Sequence, residues 1–308
     1  MTLASQNAQA LRSQFLPRAS TRLSASARGA LLVMPSMLWL FVFAILPIGF
    51  LICLSFWTTT IFGVEKIWTT ASYATITADP VYLTILLKTL RIATIATLLS
   101  LLFSYPLALF LVGLRGRARS AFLLLMFLPF WSSYVVRSFT WLPVLGRNGL
   151  VNQALITIGI IDHPVDWLLF NEGAVYVGLV YVYTLFMVLP IFLSLDRIDR
   201  SVVEAAQDLG GRPVQVFWRV IWPLSLPGVW SGCIMVFLIS IGAYVTPQLL
   251  GGASGAMIGN VIAAQFLNTN NWPLGAALSL TLIVLVGLVL AIVGRRLGLK
   301  QLFLGERP

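Results

Sequence analysis

The chain has 308 residues, 59% of them hydrophobic and 10% charged, and its mean hydropathy is +0.93. Soluble domains carry about 25% charged residues, so this is no ordinary globular domain. The net charge of +10 does not point to nucleic acid, because no basic stretch is interleaved with aromatic residues.

Residues 1–29 hold four Arg, five Ser and no acid. That composition overlaps with transit peptides, and it also suits a cytoplasmic tail drawn to anionic lipid. No cleavable signal is evident, since the first apolar run, residues 31–57, is long enough to serve as a spanning anchor. Five more runs are near or above the roughly 20 residues that cross a bilayer: residues 89–114, 122–142, 174–195, 229–249 and 274–293. Trp57, Trp68 and Tyr73 suit the membrane interface. Pro106 and Pro129 predict kinks in the second and third spans. In the long loop 143–172, Leu150, Val151, Ala154, Leu155 and Ile158 recur at helical spacing and predict a helix lying in the interface, after a turn at Asn148-Gly149. The loop 245–273 carries Gly251-Gly252 and a second short amphipathic stretch, residues 257–266. Residues 295–308 form a basic tail.

Charge placement orients these spans. The tail, the loop 115–120, the loop 196–219 and the C-terminus carry Arg12, Arg18, Arg22, Arg28, Arg115, Arg117, Arg119, Arg197, Arg200, Arg212, Arg219, Arg295, Arg296, Lys300 and Arg307, which is 15 of the 20 Lys and Arg. Lys66, Lys88, Arg91, Arg137 and Arg147 lie towards the other side, and the acids divide equally. The positive-inside rule makes the first side cytoplasmic. The expected architecture is an all-α polytopic membrane protein with six transmembrane helices and both termini cytoplasmic. The permease-like domain covers residues 30–294.

The polar segment 196–224 has the strongest internal logic. Ser201 and Glu204 have capping-box spacing, which predicts a helix over residues 202–209. Gly210-Gly211 ends it. Pro213 opens a second short helix, Pro223 closes that one, and Pro227 begins the next span.

Much is absent. The chain has no GxxxxGK[ST] loop to cradle nucleotide, one histidine (His163), no paired catalytic carboxylates and no Asp or Glu inside a predicted span. Cys53 and Cys233 lie within spans and read as packing residues; no disulfide or metal is expected. A proton- or sodium-coupled carrier commonly needs an intramembrane acid or an unwound helix pair. A self-contained secondary transporter or channel is therefore the lesser reading, and uptake without an ATPase partner would distinguish it.

The loop resembles the EAA signature of ABC-importer permeases, carried here by Glu204, Ala205, Ala206, Gly210, Val220 and Pro223, with Trp222 where that family has Leu. Thr246-Pro-Gln-Leu-Leu-Gly-Gly252, Met257-Ile-Gly-Asn260, Gln265-Phe266 and Asn271-Trp-Pro-Leu-Gly-Ala276 are similar to spermidine/putrescine-type inner-membrane permeases. Phe130-Trp131-Ser-Ser-Tyr134 through Arg137 and residues 145–152 resemble the first permease of that system. The likeness covers the second to sixth spans and not the N-terminal tail.

That resemblance implies a type I ABC-importer permease fold (MetI-like) in the bacterial inner membrane. It implies a heterodimer with a second permease, two copies of a cytoplasmic ABC ATPase and an external solute-binding protein. ATP and Mg²⁺ would sit on the ATPase, with no cofactor on this chain. The coupling residues would be Glu204, Ala205, Ala206, Asp208, Gly210 and Pro223. The solute would be a polyamine or a related amine, opine or amino-acid-like compound. Cations favour aromatic faces, so Trp131, Tyr134, Tyr181, Tyr183 and Tyr244 are path candidates, though each also reads as an ordinary packing or interfacial aromatic. Arg137 is a candidate beside them, and its charge opposes a polyamine. Asp79, Asp162, Asp166 and Glu172 would lie outside, as docking or solvated charges.

Overall fold

The computed structural model describes residues 25–60 and 63–296. Contacts divide the chain into two units, residues 1–51 and 52–308. The tails expected at 1–29 and 295–308 lie largely outside the described residues, although helix α1 (Ala25–Leu40) already begins within the first.

The first unit holds α1, a π turn at Phe41–Ile45 and the start of α2 (Leu46–Ser55). The rings of Trp39 and Phe43 pack one turn apart, tilted by 32° with 4.1 Å between centroids.

The second unit is helical apart from a ribbon in which β1 (Thr58–Thr60) pairs antiparallel with β2 (Gly63–Glu65). Its helices are α3 (Ala71–Ala78), α4 (Pro80–Gly113), α5 (Gly116–Phe127), α6 (Tyr134–Phe139), α7 (Trp141–Leu145) and α8 (Leu150–Thr157). Next come α9 (Glu172–Asp196), α10 (Arg200–Asp208), α11 (Pro213–Val216), α12 (Trp222–Ile241), α13 (Val245–Leu250), α14 (Ile258–Leu267) and α15 (Trp272–Arg296). The short helices expected near 150–158 and 257–266 are α8 and α14. Thr59 Oγ1 donates to Asn271 Oδ1 at 3.0 Å, tying the ribbon to the start of α15.

Five helices are long and apolar enough to cross a membrane, or six if one bent pair counts as a span. That pair corrects the expectation of a single third span over 122–142. Residues 116–131 and 134–157 meet at 94°. Pro129 removes a donor at the break, and two serines satisfy the exposed backbone there. Ser132 Oγ donates to the Pro129 carbonyl at 2.7 Å, and Ser133 Oγ accepts from the Val136 amide at 3.2 Å. The second span starts at Pro80 rather than 89, because Asp79 caps α4 by accepting from the Val81 amide at 2.9 Å.

The fifth span is a second correction. Helix runs without interruption from Pro213 to Ile241, so Pro223 does not end a helix and Pro227 does not begin one. The π turn Phe217–Ile221 lies just ahead of Pro223, and the Trp222 amide bonds back to the Phe217 carbonyl. A widened turn of this kind makes room for a proline ring and its missing donor. Pro47 follows the other π turn in the same way, one residue after the Leu46 amide bonds to the Phe41 carbonyl.

α9 packs against both α4 and α12, which also touch each other. Ile92, Leu111, Leu179, Met187, Val188, Ile191 and Val236 are fully buried in that core. Small residues let membrane helices approach closely. A Cβ on Gly228 would stand 2.4 Å from the Pro190 carbonyl oxygen, and one on Gly232 2.7 Å from Met187 Sδ. Buried hydroxyls bridge α4 to α12, with Tyr105 Oη and Ser225 Oγ 2.8 Å apart.

Candidate functional site

The loop from α9 to α12 is locally determined. Its cap is Asp199 rather than Ser201, because the Asp199 carboxylate reaches the first free amide of the helix, Ser201 N–H, at 3.0 Å. The capping box expected between Ser201 and Glu204 therefore does not form, and α10 starts at Arg200 instead of 202. The Ser201 amide and then its hydroxyl hold the Asp199 carboxyl below the ordinary carboxylate range.

The helix ends as its glycines predict. The Gly211 amide donates to the Ala206 carbonyl at 3.1 Å and the Gly210 amide to Gln207 at 2.8 Å, the paired bonds of a Schellman motif. Gly210 has φ +83°, the left-handed region that glycine enters at no steric cost. A Cβ on Gly211 would stand 2.5 Å from the Ala206 oxygen. Beyond the turn, Gln215 Oε1 accepts from the Arg212 amide at 3.0 Å and braces the start of α11, where Pro213 sits at the first position.

α10 turns Val203 and Ala206 inward and leaves Glu204, Ala205 and Asp208 exposed. Leu209 is 89% exposed, and Val202, Val214 and Trp218 are also open. The loop thus presents charged and apolar side chains together on a capped, glycine-jointed element. Pro223 lies apart from that surface, inside the long helix behind the π turn. There Phe217 and Trp222 close on Tyr105 of α4, at centroid distances of 5.7 and 5.1 Å.

The second site is a hydroxyl and aromatic cluster at the broken span. Tyr134 of α6 and Tyr183 of α9 stack at 6.4 Å. Tyr134 Oη lies 2.8 Å from Thr246 Oγ1 of α13, which lies 3.0 Å from Ser138 Oγ. Arg137 is buried, with its guanidinium 4.3 Å over the Phe130 ring. Its Nε has no hydrogen-bond partner. Three of the six path candidates, Tyr134, Arg137 and Tyr183, therefore come together. The others stand apart. Trp131 is 89% exposed at the break. Tyr181 packs edge-on against Trp141 at 5.4 Å. Tyr244 sits at the residue before α13, and its carbonyl accepts from Asn260 Nδ2 at 2.9 Å. Thr246, marked in the sequence only as part of a permease-like stretch, and Ser138 are not legible as members of this cluster, since small hydroxyls in apolar helices resemble ordinary packing residues.

The acids at the opposite end are mostly engaged. Asp79 caps α4, Glu172 binds Arg91 at 2.7 Å, and Asp166 lies 3.4 Å from Arg147. Among the described residues, no three His, Cys, Asp or Glu side chains gather as a metal site requires.

No family model matches the chain. Over 257 residues it is 40% identical to the spermidine/putrescine transport system permease protein PotB of Escherichia coli K12, covering 83% of this chain and 93% of that protein. It is 36% identical over 252 residues to PotB of Haemophilus influenzae, covering 82% and 88%. It is 32% identical over 233 residues to the inner membrane ABC transporter permease protein YdcU of Escherichia coli, covering 71% and 73%. The crystal structure of a bacterial ABC transporter importing the acidic polysaccharide alginate superposes with TM-score 0.66 at 17% identity, over 87% of this chain and 94% of that one. That likeness speaks to the fold alone. The chain belongs to the PotB family of ABC-importer permeases, as an inner-membrane transport subunit rather than an enzyme.

Proposed function

We propose that this permease imports a polyamine, spermidine or putrescine, or a related amine. The identity of 40% to PotB across 257 residues carries that reading. It pairs with a second permease to form the path. Two copies of a cytoplasmic ATPase bind and hydrolyse ATP with Mg²⁺, and a solute-binding protein delivers substrate from outside. The bent pair counts as the sixth span, and both termini face the cytoplasm, as the charge distribution favours.

In this scheme α10 docks on the ATPase. Glu204, Ala205, Ala206 and Asp208 form its contact and packing surface, and Gly210 sets its angle. Pro223 belongs to the stiff connection into α12. The exposed Val202, Leu209, Val214 and Trp218 support docking, since a solvated loop has no use for them. ATP-driven closure of the ATPases draws the paired loops together and shifts the spans between inward-open and outward-open states. Tyr134 and Tyr183 offer faces to an ammonium group, each worth roughly 0.5–2 kcal/mol. Trp131, Tyr181 and Tyr244 serve interfaces with lipid or the second permease. Arg137 is an architectural cation held by Phe130.

Uptake of radiolabelled spermidine and putrescine tests the proposal, in cells carrying the whole system and in cells lacking the ATPase. Saturable uptake that vanishes without the ATPase is expected. Uptake that persists on an ion gradient alone overturns the ATP-driven scheme, and uptake of neither amine overturns the substrate.

A further inference from the structure

Where α4, α5, α9 and α10 meet, they enclose a groove of about 530 Å³. Leu109, Val112, Leu114 and Ile221 line it, and so do Arg115, Arg119 and Arg200 with Asp196 and Glu204. Asp196 is answered by Arg119 at 2.6 Å, and the Arg119 guanidinium also rests 4.6 Å over the Phe192 ring. Arg115 and Arg200 have no carboxylate within ion-pair reach among the described residues. Three cations against two carboxylates leave the groove with one uncompensated positive charge.

We propose that this groove seats the headgroup of a monoanionic phospholipid, of which phosphatidylglycerol is the type. Three observations converge on that occupant. The groove lies where α4 ends at Gly113 and α9 at Asp196, the depth at which headgroups meet the ends of spanning helices. Its apolar lining continues along the last turns of α4, so an acyl chain can follow Leu109 and Val112 while the phosphate meets Arg115 and Arg200. One phosphodiester neutralises the remaining charge. Basic pockets between membrane helices recognise lipid headgroups by this combination. The first turn of α5 opens at the same place with no side chain capping it, which leaves amide donors free for the phosphate.

The groove shares Arg200 and Glu204 with α10, so a bound lipid would tether that helix to the bilayer surface. The assignment rests on the proposed orientation only for which leaflet supplies the lipid.

The test is lipid retention by the intact transporter complex, purified in mild detergent from an equal mixture of phosphatidylglycerol and phosphatidylcholine and analysed by mass spectrometry. This reads binding whether or not spermidine is the substrate. Phosphatidylglycerol should be retained in preference. Arg115→Gln and Arg200→Gln should each lower its retention, by roughly fivefold for the loss of one basic residue near an anionic headgroup. Glu204→Gln should raise it, because a competing negative charge is removed. Excess inorganic phosphate should not displace it, since the acyl contacts would be missing. Equal retention of both lipids, or a preference unchanged in both arginine variants, overturns the proposal. Displacement by inorganic phosphate reduces the groove to a simple anion site and overturns the lipid assignment. Loss of the ATPase from the complex with lipid retention unchanged assigns the arginines to an acidic segment of the partner instead.

Discussion

Ser225 Oγ both meets Tyr105 Oη at 2.8 Å and donates to the Trp222 carbonyl at 2.9 Å. One hydroxyl thus joins α4 to the first turn of α12, directly beneath the π turn. The two partners are not equivalent. In Tyr105→Phe, Ser225 keeps its backbone acceptor, and the loss should be about 0.5–1.5 kcal/mol. In Ser225→Ala, the buried tyrosine hydroxyl has no partner left, and the cost should rise to about 1–3 kcal/mol. Thermal unfolding of the two variants in one detergent checks the order. A Tyr105→Phe variant that is the less stable of the two refutes the assignment.

Charge and shape can be separated in the docking loop because Asp199, not Glu204, caps α10. Glu204→Gln should leave the helix intact and reduce both ATPase binding and transport. Asp199→Ala should fray the first turn while sparing the chemistry of Glu204. Amide exchange across residues 200–208 reads the first effect, and co-purification of the ATPase reads the second. Normal transport in Glu204→Gln would remove the charge from the docking role.

The same cap fixes the pH response. The Asp199 carboxyl titrates lower in the folded protein than in the unfolded chain, where an Asp lies near about 3.9. Its contribution is therefore fully present above that value and disappears as pH falls through the lower folded one. The protection factor at Ser201, measured against intrinsic exchange at each pH, should stay level from neutral pH down to about pH 5 and fall below the unfolded value of about 3.9. A cap that weakens near neutrality would point to a different titrating group.

Gly210→Val forces a β-branched side chain into left-handed backbone, at a cost of roughly 1–2 kcal/mol. The expected result is a folded permease that assembles poorly with its ATPase. Gly228→Leu acts elsewhere, driving a side chain into the Pro190 carbonyl. Overpacking of about 1–3 kcal/mol should lower the amount of folded protein and its melting temperature. Full complex assembly in Gly210→Val would defeat the joint.

In the cluster at the broken span, Tyr134→Phe removes the hydroxyl contacts to Thr246 Oγ1 and, at 3.4 Å, to Tyr183 Oη but keeps the aromatic face, whereas Tyr134→Leu removes both. If the face meets the ammonium, Tyr134→Leu should raise the uptake KM several-fold more than Tyr134→Phe. Equal effects would make the hydroxyl network, not the ring, the functional part.

What the sequence revealed divides by range. The glycine turn at Gly210-Gly211 and the start at Pro213 depend on neighbours a few residues away, and they form as expected. The cap is not legible in the sequence, because Asp199 and Ser201 both qualify by type, and only geometry shows which one reaches an amide. Pro223 does not end its helix because its usual effect is cancelled by a π turn, which has no compositional signature. Tyr134, Tyr183 and Thr246 are separated by up to 112 residues, so their meeting depends on how α6, α9 and α13 pack. The kink expected at Pro129 is realised as a full break at Ser132-Ser133, and nothing in the apolar run announces that the two halves meet at 94°.

A π turn carries one more residue than the ordinary spiral, and that surplus has a rotational meaning. Each α-helical residue advances the chain by about 100° around the axis. The wide turn at Phe217–Ile221 absorbs its surplus residue, so the exposed Val214 keeps the azimuth relative to α12 that a coil one residue shorter would give it. Removing a single residue between 217 and 221 would restore the plain coil with little rotation of α11, whereas a deletion within α12 itself would turn α11 by about 100°. The orientation of the proposed coupling loop thus depends on the residue count of α12 and tolerates the surplus residue at the π turn.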